Sequence, residues 1–104
     1  EVTIVEGSLP AFDRYMQQQA RDGVYAMVFD GDEKGLPVPA LPFGKEGHPE
    51  DQAYRLFDLL RKCDDLGAKK VFVRSPDQSG IGLAVYNRLL RAAAFRIVKL
   101  EDEE

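Results

Sequence analysis

The residues with the clearest chemical potential are two glycines, Gly80 and Gly82, which lie between an apolar run at 71–73 and a segment of helical periodicity. Glycines before a helix can form a phosphate site, because the open N–H groups and the dipole of a helix start favour anions. The dinucleotide fingerprint G-x-G-x-x-G needs a third glycine where Val85 stands, and it normally follows the first strand. Gly80 and Gly82 are therefore weak anion-site candidates, or residues that only shape a tight helix start.

The acidic segment around Asp30 and Asp32 raises the question of a calcium loop. Such a loop would need an oxygen ligand where Lys34 stands and a glutamate where Leu41 stands. Since neither is present, we interpret 30–39 as a solvated loop rich in turn residues.

Neither the single histidine nor the single cysteine has partners for catalysis or metal binding. His48 precedes Pro49 at a predicted helix start, which favours a cap-region role. Cys63 lies on an apolar stripe, which favours a buried and inert thiol. The other members of the stripe are Ala53, Leu56, Phe57, Leu60 and Leu66. We predict no catalytic residue, no metal site and no cofactor for this chain. One cysteine cannot form an internal disulfide, so we expect a cytoplasmic protein.

Strand and helix patterns alternate along the chain. The order predicts a small three-layer Rossmann-like α/β domain, with a mostly parallel sheet and helices on both faces. We expect strands at 2–5, 24–29, 71–73 and 95–100, a short edge strand within 40–44, and helices at 8–22, 48–66 and 80–94, of which the first two end at Gly23 and Gly67.

Length and charge indicate one domain over 1–100, followed by an acidic tail at 101–104. The chain has 104 residues and a formal net charge of −4, which argues against autonomous nucleic-acid binding. No apolar run approaches the ~20 residues of a membrane-spanning helix. The sequence lacks an initiator Met, so we expect a processed chain or a fragment of a longer protein.

The last predicted helix carries polar residues on one side. If Val85 and Leu89 face the sheet, then Asn87, Arg88 and Arg91 point outward. These three residues form either a solvated face or an interface with a partner domain, where Arg and Asn are useful hydrogen-bonding groups.

Two motifs carry a family resemblance. L-F-D-L-L-R-K-C-D-D-L-G-A-K-K-V-F-V at 56–73 and G-I-G-L-A-V-Y-N-R-L-L-R-A-A at 80–93 resemble the C-terminal domain of the long, two-domain form of threonylcarbamoyl-AMP synthase. The strong match covers 50–94. Residues 1–47 agree only in the order of elements, and the 30–39 loop has no place in the family pattern.

The resemblance implies a parent enzyme with an N-terminal YrdC-type catalytic domain, which is absent from this chain. That domain would use ATP with magnesium, L-threonine and bicarbonate to make threonylcarbamoyl-adenylate for tRNA modification. The expected role of this chain is an accessory domain, inactive alone, that packs on the catalytic domain and gates access to it. The alternative is a stand-alone nucleotide- or anion-binding module that uses the helix start at Gly80 and Gly82.

Overall fold

A computed structural model describes residues 1–78 and 80–100, and in these ranges strands and helices alternate. The strands are β1 (Val2–Glu6), β2 (Val24–Val28), β3 (Ala40–Pro42), β4 (Lys70–Arg74) and β5 (Ile97–Lys99), and the helices are α1 (Leu9–Gln19), α2 (Pro49–Asp65) and α3 (Ile81–Ala92). The strands form one sheet in the order β3-β2-β4-β1-β5, and each neighbouring pair is parallel. The predicted α/β class and parallel sheet are confirmed.

Successive strand side chains point to opposite faces of the sheet, and helices cover both faces. One face, which includes Ile4 and Val73, packs against α2 and α3. The other face, which includes Val5 and Phe72, packs against α1. The result is three layers, and side chains at the centre of each helix are fully or almost fully buried: Phe12 and Met16 in α1, Leu56 in α2, and Val85 and Leu89 in α3.

Two predicted helix ends are confirmed and one is wrong. The Ser8 hydroxyl caps α1 by accepting from the Ala11 N–H at 3.3 Å. Gly67 follows α2 with φ 73°, a left-handed conformation that glycine adopts readily. Gly23 does not end α1, because the helix stops at Gln19. Gly23 instead lies in the turn into β2, where its carbonyl accepts from the N–H groups of Lys69 and Lys70.

The solvated turn predicted around Asp30 and Asp32 is wrong at Asp32, whose side chain is only 12% exposed. The 30–39 loop covers part of the α1 face of the sheet. Val38 is buried there and Leu36 is partly buried against the same cluster. The short strand β3 that follows is an edge strand, as predicted from its prolines.

The apolar stripe predicted on α2 is correct at Leu56 and Cys63, which are buried, but wrong at Phe57, whose side chain is 45% exposed. Phe57 is rotated about 100° from Leu56 around the helix, so it lies at the flank that faces α3. Over the described ranges, no helix has the length and apolar character needed to span a bilayer.

Candidate functional site

The connections of the sheet diverge between β1 and β4. The chain leaves β1 through α1 towards β2, and leaves β4 through α3 towards β5 on the opposite side. In open parallel sheets, ligands bind in the crevice at the carboxyl ends of the strands where the connections diverge. The carboxyl ends of β1 and β4 are therefore the first place to look for a ligand site.

This crevice is filled by Arg74, the last residue of β4, whose side chain is only 9% exposed. Its Nη1 lies 2.8 Å from Oδ2 of Asp32, and its Nη2 donates to the carbonyl oxygen of Gly7 at 3.3 Å. Its guanidinium carbon lies 5.2 Å from the ring centroid of Phe29. One cationic side chain thus bridges β1, β4 and the start of the 30–39 loop, in the space where a ligand would enter.

A second carboxylate, Asp13, adds to the negative charge of the crevice. Its Oδ1 is buried and accepts no hydrogen bond from the described residues. Burial, and next the neighbouring Asp32 carboxylate, raise the pKa of Asp13, while Arg74 opposes them. Because two carboxylates share one guanidinium, the crevice does not favour a phosphate.

The opposite side of the β1 end is also occupied by the chain itself. The Glu6 carboxylate accepts from the Tyr86 hydroxyl at 3.4 Å and from the Gln78 amide at 3.3 Å. Burial and the Glu6 charge raise the pKa of Tyr86, so its hydroxyl remains a donor. The carboxyl edge is therefore lined with polar groups that pair with one another.

The glycines predicted as anion-site candidates lie next to this crevice. Gly80 precedes α3 with φ 57° and is exposed. Gly82 is buried, and a Cβ there would collide with the carbonyl oxygen of Asp77. Close packing thus accounts for Gly82 without a ligand. The anion site stays a prediction, and Ser79 lies outside the described residues.

The predicted interface residues Asn87, Arg88 and Arg91 are all exposed on α3. The guanidinium carbon of Arg88 lies 5.2 Å from the ring centroid of Phe57 on α2, within cation–π range. Tyr54, one turn before Phe57, is 83% exposed.

Ile81 is 54% exposed and lies seven residues before Arg88, on the same flank of α3. We call the surface formed by Tyr54, Phe57, Ile81 and Arg88 the α2–α3 ridge. The sequence interpretation missed its α2 half because the pattern placed Phe57 in the core. The sequence signal that could have indicated this surface is Tyr54, an aromatic residue that lies outside the apolar stripe of α2.

His48 and Cys63 lack the surroundings that catalysis requires. His48 is an exposed N-cap residue of α2 whose side chain makes no capping bond. Cys63 is buried, and burial raises the pKa of its thiol, which keeps it in the unreactive form. Among the described residues, no group of three His, Cys, Asp or Glu side chains could hold a metal ion.

Open space lies at the other edge of the sheet. Three surface pockets of about 630, 240 and 390 Å³ are lined by residues at the amino ends of the strands and the carboxyl ends of the helices. The third of these lies between Tyr15 on α1 and Phe95, which follows α3. These three pockets lie opposite the edge where a parallel sheet normally binds ligands.

Comparison with known proteins gives a consistent result. The family model described as "Threonylcarbamoyl-AMP synthase, C-terminal domain" matches residues 1–94. Threonylcarbamoyl-AMP synthase from Bacillus subtilis (strain 168) is 29% identical over 101 residues, which cover 94% of this chain and 29% of that protein.

Two solved structures are similar to the whole domain. A variant of P. abyssi Sua5 superposes with a TM-score of 0.78 at 25% identity, and the match covers all of this chain and 30% of that one. The C-terminal Sua5 domain from Pyrococcus horikoshii gives a TM-score of 0.68 at 27% identity, with 95% of each chain covered. This chain therefore spans less than a third of the first two relatives, but almost the whole of the third.

Proposed function

The chain belongs to the family of threonylcarbamoyl-AMP synthase C-terminal domains, and from that premise we propose that it is an accessory domain that packs on, and gates, an N-terminal YrdC-type catalytic domain. The catalytic domain would convert L-threonine, bicarbonate and ATP, with magnesium, into threonylcarbamoyl-adenylate for tRNA modification. This chain would hold no catalytic residue and no cofactor of its own. We expect the complete enzyme to be cytoplasmic.

The family match over residues 1–94 carries the proposal. The arrangement of the carboxyl edge supports it, because the crevice between β1 and β4 is filled by Arg74 rather than left open for a substrate. An accessory domain needs no ligand site there, whereas a nucleotide-binding module of this topology would.

The α2–α3 ridge is the surface that we propose for contact with the catalytic domain. It combines two exposed aromatic rings with an arginine, which is the composition enriched at the centres of protein interfaces. Asn87 and Arg91, exposed on the same helix, would lie towards its polar rim.

The test uses the full-length synthase with Arg88→Ala, and with Arg14→Ala, an exposed arginine on α1, as the matched control. Arg88→Ala should lower turnover several-fold and leave the stability of the isolated domain within about 1 kcal/mol, because an exposed cation–π contact contributes little. Arg14→Ala should change neither the turnover of the synthase nor the stability of the domain. Equal turnover of both variants and wild type would contradict the proposed docking surface.

The alternative function is a nucleotide- or anion-binding module, and the exposed Gly80 at the start of α3 is the observation that favours it. Titration of the domain with millimolar ATP, followed by amide chemical shifts, separates the two functions. Saturable shifts confined to residues 80–83 would support the module. The accessory proposal predicts no such shifts.

A further inference from the structure

The end of α3 differs from an ordinary helix end. The Phe95 N–H donates to the Leu90 carbonyl and the Ala94 N–H to the Arg91 carbonyl, a paired closure that normally uses glycine at the left-handed position. Helix α2 ends in the same way, with Gly67 at that position. In α3 the two left-handed residues are Ala94, with φ 51°, and Phe95, with φ 64°.

This conformation presents an aromatic ring to solvent. A left-handed backbone is unfavourable for a residue other than glycine. Phe95 does not recover that cost by burial in this domain, because its side chain is 70% exposed. Strain that positions an exposed aromatic ring suggests a contact surface.

Phe95 forms one wall of the 390 Å³ pocket. The opposite wall comes from Tyr15 on α1, whose ring meets Phe72 edge-on with centroids 5.6 Å apart. The pocket lies on the α1 face of the sheet, beside α1 and over residues of β1, β4 and β5. It is far larger than one water molecule requires, so it can receive side chains.

The start of β1 lies in the same pocket. Glu1 lines it, and the Val71 N–H donates to the Glu1 carbonyl at 2.8 Å. The Glu1 amino group also donates to the Lys69 carbonyl at 3.2 Å, which extends the β1–β4 ladder to the first residue. A polypeptide that reaches this domain from its N-terminal side arrives at Glu1, which lines both this pocket and the 240 Å³ pocket, and Phe95 lies only in the former.

We propose that the groove between Tyr15 and Phe95 seats the segment that immediately precedes Glu1 in the full-length synthase, with an apolar side chain of that segment packed on the Phe95 ring. This inference rests on the proposed function, since it requires a preceding catalytic domain. The occupant follows from the position of Glu1 and from the relatives, of which this domain covers under a third. The segment would fix how the two domains are held together.

The experiment measures amide hydrogen exchange in about ten residues before Glu1 in the full-length protein. Phe95→Asn removes the ring and keeps a residue that tolerates the left-handed conformation. Leu83→Asn is the matched control, because Leu83 is 45% exposed at the other end of α3. Phe95→Asn should speed exchange of the segment about tenfold or more, while Leu83→Asn leaves it unchanged.

Equal exchange of the segment in wild type and both variants would overturn the proposal. Protection that rises with protein concentration would also overturn it, since a second copy of the chain would then occupy the groove. Synthase activity is measured in a separate assay. A protected segment in a protein without synthase activity would contradict the proposed function but support the groove proposal. An active enzyme with an unprotected segment would contradict the groove proposal but support the proposed function.

Discussion

The two edges of the sheet are built in opposite ways. At the carboxyl edge, Arg74, Asp32 and Gly7 close the crevice between β1 and β4, and the side chains involved are almost fully buried. At the amino edge, three pockets are open and Phe95 is exposed on a strained backbone. Parallel α/β sheets usually place ligands at the carboxyl edge. Here the crevice at that edge is closed by the domain's own groups, and the three pockets lie at the opposite edge.

This difference shows that the fold of the domain does not by itself indicate its function. The order of strands alone suggests a nucleotide-binding domain, but fold carries little information about activity without the site. The arginine at this crevice pairs with the domain's own carboxylate and is therefore not free to bind a phosphate.

The largest effect should come from removing Arg74. Arg74→Met leaves the Asp32 carboxylate without its buried partner, and should lower the free energy of unfolding by roughly 3 kcal/mol. Arg96→Met at the amino edge, whose ion pair with Glu1 is 3.9 Å long and half exposed, should cost less than about 1 kcal/mol. Equal losses of unfolding free energy in the two variants, measured by denaturant unfolding, would contradict the difference between the two edges.

Gly82→Ala should be the next most disruptive change. A Cβ at this position meets the Asp77 carbonyl, so the start of α3 must shift, at about 1–3 kcal/mol. Ala84→Ser, two residues later on an exposed site, should stay within about 0.5 kcal/mol of wild type. If both variants are as stable as wild type, close packing does not explain Gly82, and the anion-site prediction is strengthened.

Asp13→Asn should stabilise the domain near pH 7 by less than about 1 kcal/mol, because solvent screens a carboxyl that is only partly buried. The folded pKa of Asp13 is raised, so the folded state binds this proton more tightly than the unfolded state does. The carboxyl therefore destabilises the domain above its folded pKa, and the penalty is relieved as the pH falls through that pKa. The stability difference between wild type and variant should shrink towards about pH 4. A gain that is independent of pH would show that charge is not the cause.

The smallest effect should be a gain at the amino edge. Ala94→Gly removes the left-handed strain at the end of α3, and should stabilise the domain by about 0.5–1 kcal/mol after the larger chain entropy of glycine is counted. Ala92→Gly, inside the last turn of α3, should instead destabilise it by up to about 1 kcal/mol. Thermal melts of the two variants test whether strain is present at Ala94.

Patterns local in sequence predicted most of the fold. Apolar runs and the alternation of strands with helices gave the parallel sheet, and Ser8 and Gly67 were predicted as helix boundaries from their types alone. The Arg74–Asp32 pair joins residues 42 positions apart, and no local pattern encodes that distance. Phe57 was misplaced because helical spacing cannot separate a core position from one at the flank of a neighbouring helix.

Phe95 was predicted as the first residue of a strand, because a β-forming residue followed by alternating apolar residues has that appearance. The helix closure that holds Phe95 depends on backbone hydrogen bonds to the Leu90 and Arg91 carbonyls, which the sequence does not show. The strand itself begins later, at Ile97.

Hydroxyl-radical footprinting of this chain, compared with the full-length synthase, tests the central claim most directly. Docking at the ridge and the amino-edge groove should lower the reactivity of Tyr54 and Phe95 several-fold in the full-length protein. Leu83, exposed at the carboxyl edge, should keep its reactivity. Unchanged reactivity of Tyr54 and Phe95, together with protection of Leu83, would contradict the account and place the partner at the carboxyl edge.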